Sequence, residues 1–152
     1  MISFVRGTVA SVGATTAVVD VGGIGLELQC TPSTLGELRV GHAASLPATL
    51  VVREDSLTLY GFADSDERSV FDLLQTVTGV GPRLAQSLLA VLSPDALRVA
   101  VATEDLTALI RVPGVGRKGA QRLVLELKDR LGAPTGVVDL GSAASTTGPV
   151  WQ

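Results

Sequence analysis

The pattern of apolar and polar positions changes period once along this chain. From Ile2 to Phe62 it runs in short stretches rich in Val, Leu and Thr, the pattern of pleated strands with one buried face. Ile2 to Val12 alternates loosely, Thr16 to Val21 is β-branched, and the turn Gly22-Gly23-Ile24-Gly25 leads into Leu26 to Cys30. Leu46 to Arg53 and Ser56 to Phe62 flank Glu54-Asp55, and Pro32 to Leu38 reads as a short helical crossing between the third and fourth strands. Five short strands with one helical interruption predict a small Greek-key barrel of the OB type.

Beyond Phe62 the pattern becomes helical. Asp64 followed by Glu67 is a reciprocal cap and predicts a helix to about Val77. Ser93 before Pro94 and Asp95 opens another helix, and Thr103 with Glu104 and Asp105 opens the next, each placing acidic groups where the helix dipole favours them. The last helix is expected from about Arg117 to Leu131, with Gly132 as its cap and Pro134 preventing continuation. The expected fold class is multidomain, β then α: an OB-like barrel over 1–62, then an all-α unit over 63–132. The stretch 133–152 is Gly, Ser, Thr and Ala with Asp139 its one charge, so it reads as a linker. Val150-Trp151 reads as the start of a further element, and the chain is expected to stop inside that linker.

Composition narrows the chemistry. The 152 residues are 46% hydrophobic with mean hydropathy +0.42, ample for a packed core. Apolar runs are cut by Pro, Gly or charge well short of the roughly 18 residues a membrane helix needs, so no membrane role is expected. Arg6 and Gly7 interrupt what a secretory signal would continue, and a cytoplasmic location is expected. Cys30 and His42 are the only residues of their kinds, too few for a disulfide or a zinc site, so no metal or cofactor is expected. No Gly-Lys pair occurs, hence no phosphate-cradling ATPase loop, and any motor must be another protein. G-x-S-x-G and H-E-x-x-H are also missing, and His42 between Gly41 and Ala43 reads as a loop residue. No catalytic residue is expected, and the chain is not expected to be an enzyme on its own.

The helical half repeats. An offset of 35 residues aligns Gly79-Val80-Gly81 with Gly114-Val115-Gly116, Leu74 with Leu109, Val77 with Val112, Ala85 with Ala120, Gln86 with Gln121, Leu88 with Leu123 and Leu92 with Leu127. Each unit reads as helix, G-V-G hairpin, helix. Two glycines allow a turn too tight for Cβ atoms and bring the main chain close to a phosphate oxygen, while the following helix adds free N–H groups and its positive dipole end. Arg83 stands in the first turn after one hairpin, and Arg117, Lys118 and then Arg122 after the other. The apolar positions Leu84, Leu88, Leu92, Leu123 and Leu127 are core. One G-V-G is a common tight turn, but turn geometry does not require Arg or Lys after both copies. The candidate DNA-binding residues are therefore Gly79, Val80, Gly81, Arg83, Gly114, Val115, Gly116, Arg117, Lys118 and Arg122, gripping duplex backbone without sequence preference.

Net charge of -3 argues against nucleic acid until its distribution is considered. Arg111, Arg117, Lys118, Arg122, Lys128 and Arg130 face only Glu126 and Asp129 within 20 residues, a local basic surface. The five aromatic residues, Phe4, Tyr60, Phe62, Phe71 and Trp151, are too few to make the barrel a stacking platform for single strands.

With these motifs on the page, the sequence resembles the tandem helix-hairpin-helix proteins, and closely the RuvA family of Holliday-junction-binding subunits. The resemblance covers residues 1 to about 132. It is carried by Val51-Val52-Arg53-Glu54-Asp55 with Leu59-Tyr60-Gly61-Phe62, by Val80-Gly81-Pro82-Arg83-Leu84-Ala85, and by Pro113-Gly114-Val115-Gly116-Arg117-Lys118 with Leu125-Glu126-Leu127. It implies an OB-like barrel, a helix-hairpin-helix unit, and a flexible linker to a small helical domain that contacts the RuvB hexameric ATPase. It also implies a role for Glu54 and Asp55, which between two strands would ordinarily be turn formers. In similar proteins the hairpin tip is an acidic pin, and four subunits gather their pins at the centre of a square-planar junction, where carboxylates repel phosphates.

The resulting expectation is a non-catalytic subunit that holds four-way junction DNA open and loads RuvB for branch migration in recombination and repair. A homotetramer is expected, with an octamer and contact with the RuvC resolvase left open. The alternatives are a tandem helix-hairpin-helix repair enzyme, glycosylase or nuclease, and a scaffold subunit of one. Such an enzyme needs an acid or lysine poised past a hairpin, and Arg117-Lys118-Gly119 offers no obvious acid there.

Overall fold

The computed structural model describes residues 1–133. Its strands are β1 (Phe4–Val12), β2 (Thr16–Val21), β3 (Ile24–Cys30), β4 (Ala43–Arg53) and β5 (Ser56–Gly61). They form a closed barrel in the order β1-β2-β3-β5-β4, with β4 returning to β1. Every pairing is antiparallel except β3 with β5, and those two are separated in sequence by α1 (Pro32–Gly36) and β4, the long connection that a parallel pair requires. Val5, Ala17, Val19, Leu28, Leu46, Ala48 and Leu59 fill the interior, as the two-residue period of the sequence dictates.

The C-terminal half of strand β5 breaks the alternation because both of its faces are covered there. Leu59 points into the barrel, whereas Tyr60 joins the core of the helical half, its ring 4.9 Å from that of Phe71. Phe62 packs on the same ring at 4.8 Å. Aromatic pairs at this spacing contribute about 0.5–1.5 kcal/mol beyond their burial, so the barrel and the helices share a joint.

The helices are α2 (Ser65–Leu74), α3 (Pro82–Val91), α4 (Pro94–Ala102), α5 (Leu106–Ile110) and α6 (Arg117–Leu127). Asp64 caps α2 as expected, accepting from the Glu67 amide at 2.8 Å. The return bond differs: the Glu67 carboxylate accepts from the Ala63 amide and the Thr34 hydroxyl, each at 3.1 Å. Glu67 is buried, which pushes its carboxyl above the usual range, and these donors oppose that rise while tying α2 to the α1 crossing. Helix α2 stops three residues short of Val77 because the amides of Thr76 and Val77 tighten onto the carbonyls of Leu73 and Leu74. Thr103 does not open α5. It ends α4, its hydroxyl bonded to the Val99 carbonyl at 2.7 Å, and Asp105 caps α5 by accepting from Ala108 at 3.1 Å.

Helix α6 ends at Leu127, short of the expected Leu131, and turns so that the Leu131 carbonyl meets Arg98 Nε at 2.9 Å. Buried Arg98 also bonds Asp66 at 2.6 and 2.9 Å and Asp95 at 3.1 Å. The Asp66 hydrogen bonds hold its guanidinium charged against the cost of burial, while Asp66 itself stays half exposed. Arg98 thus locks α4 to the first turn of α2 and to the end of the helical half. The expected linker lies, apart from Ala133, outside the described residues. Among the described residues no single helix is long and apolar enough to cross a membrane.

Candidate nucleic-acid interface

The two G-V-G hairpins adopt one backbone shape. The first glycine of each lies in the left-handed region, Gly79 at φ +85° and Gly114 at φ +95°. The second is an extended helix cap, Gly81 at φ -95°, ψ -176° and Gly116 at φ -96°, ψ -173°. The valine between them is buried in both copies, and its amide donates back to Val77 or Val112 at 3.0 Å. Val80 and Val115 therefore anchor their hairpins, and what faces outward is glycine peptide and the first turn of the following helix. The apolar register agrees: Leu74, Val77, Ala85 and Leu88 are buried, as are Leu109, Val112, Ala120 and Leu123.

Capping separates these two helices from the rest. Among the described residues α1, α2, α4 and α5 are closed by the side chains of Thr31, Asp64, Ser93 and Asp105. Helices α3 and α6 have glycine caps, no side-chain cap bond and no acid in the first turn. Their first-turn amides and positive dipole ends are left open to an anion.

The hairpins lie against each other's helices. Arg122, expected beside the second hairpin, reaches the first: its Nη1 lies 3.4 Å from the Thr78 carbonyl and 3.3 Å from the position a Cβ on Gly79 would take. Glu126, one turn further on α6, accepts from the Thr78 amide at 3.2 Å. Conversely, a Cβ on Gly114 would sit 3.2 Å from Leu84 Cδ1 of α3. Arg83, Arg117 and Lys118 are exposed and form no ion pair among the described residues, whereas Lys128 is bound to Glu104 at 2.7 Å. The Glu104 bond holds the Lys128 ammonium above its usual range and Glu104 below its own.

Glu54 and Asp55 form a two-residue turn at the tip of β4–β5, set by the pairing of Arg53 with Ser56, and both are exposed. Behind this tip a cleft of about 450 Å³ separates the hairpin from the start of α3, and Arg53, Thr58, Tyr60, Gly81 and Arg83 line it. Of these the sequence reading singled out only Gly81 and Arg83. Arg53 was legible there as the base beside the acidic pair, but nothing local says that it reaches the first hairpin.

Reactive side chains stand elsewhere. Cys30 is buried, which pushes its thiol up to about 11 and leaves it unreactive near neutrality. His42 is an exposed loop residue, and no group of three or more His, Cys, Asp or Glu among the described residues could hold a metal.

A closed five-stranded barrel followed by two matched glycine hairpins with open helix starts defines a tandem helix-hairpin-helix protein on an OB-like barrel. Comparison with known proteins gives the same division. Residues 1–61 match the RuvA N terminal domain, and residues 71–129 match the SAM-like helix-hairpin-helix tandem. A Nocardioides protein is 59% identical over 152 residues, covering 100% of this chain and 76% of its own. One from Streptomyces coelicolor is 64% identical over 146 residues (96% and 73%), and one from Streptomyces griseus 67% over 136 (90% and 65%). The chain belongs to the RuvA family. Each of these relatives is named Holliday junction branch migration complex subunit RuvA.

Proposed function

We propose that this protein is the junction-binding subunit of a branch migration complex. It grips the sugar-phosphate backbone of four-way junction DNA through both hairpins, independently of sequence, and holds the junction open for an ATP-driven motor. The observation that carries this reading is the pair of glycine hairpins of matching backbone angles whose helices, alone among the described residues, lack side-chain caps and carry exposed Arg83, Arg117 and Lys118 in their first turns. The names of the relatives support the same reading.

The finer parts of the reading are proposals of the same kind. The barrel over 1–62 presents the acidic tip, 63–132 binds DNA, and 133–152 leads toward a motor-contacting domain. Gly79, Val80, Gly81 and Arg83 serve one duplex contact, and Gly114, Val115, Gly116, Arg117 and Lys118 the other. Arg122 acts by bracing the first hairpin. The chain works in the cytoplasm as a homotetramer with the RuvB hexamer as motor, an octamer and contact with the RuvC resolvase being left open. Glu54 and Asp55, exposed at a strand turn, repel phosphates at the junction centre.

The test is a competition of a four-way junction against linear duplex, with the mass of the complex measured by light scattering. Preferential junction binding by a tetramer is expected, and equal binding of the two DNAs overturns the reading. In the same assay Glu54→Gln with Asp55→Asn should raise duplex affinity relative to junction, and an unchanged ratio removes the pin from the mechanism.

A further inference from the structure

The cleft behind the acidic tip has the chemistry of an anion site. One wall is the β4–β5 hairpin, the other is the first G-V-G hairpin and the start of α3, and no carboxylate lines it. Arg53 crosses between the walls: its Nη2 lies 3.8 Å from the position a Cβ on Gly81 would occupy. Arg83 enters from the opposite side. Neither guanidinium has an ion-pair partner among the described residues, although Arg53 directly precedes Glu54. Both act on the same hydroxyl, because burial pushes the Tyr60 phenol up while the fields of Arg83 and Arg53 pull it down. Two unpaired cations facing one polar cleft repel each other unless an anion lies between them. Thr58 and Tyr60 add neutral hydroxyls that can donate to it.

We propose that Arg53 and Arg83 clamp a backbone phosphate of the DNA strand that passes from one junction arm to the next. This deepens the junction-binding reading and rests on it. Backbone fits better than base, since the Tyr60 ring is buried and offers no face for stacking. The position beside Glu54 and Asp55 gives the site its role. The cleft attracts the strand and the tip repels it within one hairpin, so the strand is held at the point where it turns away from its arm. Because the cleft lies directly behind the tip that the junction-binding reading places at the crossing, Arg53 adds junction selectivity to the duplex contact of Arg83, whereas Arg117 and Lys118 add affinity for any duplex.

The experiment titrates the full chain with fluorescent four-way junction and with duplex at several salt concentrations. Arg53→Gln should lower junction affinity about tenfold and duplex affinity less than about twofold, and Arg53→Lys should recover most of the loss. Because Arg53 is exposed, the fold and the mass of the free protein should not change. Junctions carrying a neutral methylphosphonate at each phosphate nearest the crossover then identify the ligand. At one position the substitution should weaken the unaltered protein several-fold and R53Q hardly at all. Equal losses on junction and duplex in R53Q, or methylphosphonate penalties identical in both proteins at every position, overturn the clamp. The arms are separable. If R53Q keeps full selectivity while Arg117→Glu with Lys118→Glu abolishes binding, only the clamp falls; if that charge reversal has no effect either, the hairpin reading itself falls.

Discussion

The first and second hairpins share a backbone to within about ten degrees at both glycines, yet they are held and charged differently. The first is braced. Thr78 is bonded at its carbonyl by Arg122 and at its amide by Glu126, both from α6, and the acidic-tip hairpin stands across a cleft from it. Its helix begins with Pro82, which has no N–H to offer, and Arg83 is its single first-turn base. The second has nothing near Gly116, begins with Arg117-Lys118-Gly119 and so offers every first-turn amide, and carries two exposed bases. On the proposed reading, one backbone motif thus offers a positioned contact in one copy and the stronger electrostatic contact in the other. Sequence repetition conserves the turn, while the surroundings divide the work.

The largest effect expected from this difference is in charge reversal. Arg117→Glu with Lys118→Glu should weaken junction binding at least a hundredfold at moderate salt and flatten its log–log salt dependence, whereas Arg83→Glu should cost roughly tenfold. Equal losses in the salt titrations would erase the electrostatic distinction. Next come the left-handed glycines. Gly79→Ala and Gly114→Ala each force a Cβ into a conformation costing about 1–2 kcal/mol, to be read by chemical denaturation. Gly114→Ala should be the worse, because it meets half-buried Leu84, while the Arg122 guanidinium near Gly79 ends a flexible side chain that can move. A smaller effect tests the brace: Glu126→Ala frees the Thr78 amide and should cost about 1 kcal/mol or less. Hydrogen exchange should accelerate in the first hairpin and stay unchanged in the second. The smallest is Pro82→Ala, which supplies the missing amide and should tighten duplex binding by about twofold at most. A large gain there would mean that proline, not charge, sets the difference between the hairpins.

Much of the fold is legible in the amino-acid sequence. The strands, the short crossing helix and the glycine hairpins follow from local sterics and periodicity. The capping residues Asp64 and Ser93 follow from orphan amides that any helix start presents. Thr103 was misread because a Thr-Glu-Asp run offers two plausible caps, and which one opens α5 depends on where α4 finishes. Strand periodicity alone buries one of the adjacent residues Leu59 and Tyr60, and the helices packed outside the barrel make both buried. Arg122 follows the second hairpin in sequence, and its contact with the first was not legible, since its partner Thr78 is 44 residues away. Arg53 gave no local sign that it spans a cleft.

By itself the amino-acid sequence determined the elements, the doubled hairpin and the excess of cations around the second copy, because φ preferences, side-chain period and charge count act within a few residues. Tertiary structure decided which cations are spoken for and which are free: Lys128 is held by Glu104 and Arg98 by Asp66, while Arg53, Arg83, Arg117 and Lys118 have no ion-pair partner among the described residues. The physical reason is distance. A charge's energy is set by what stands within a few ångströms of it, and for these side chains those neighbours come from segments that only folding brings together.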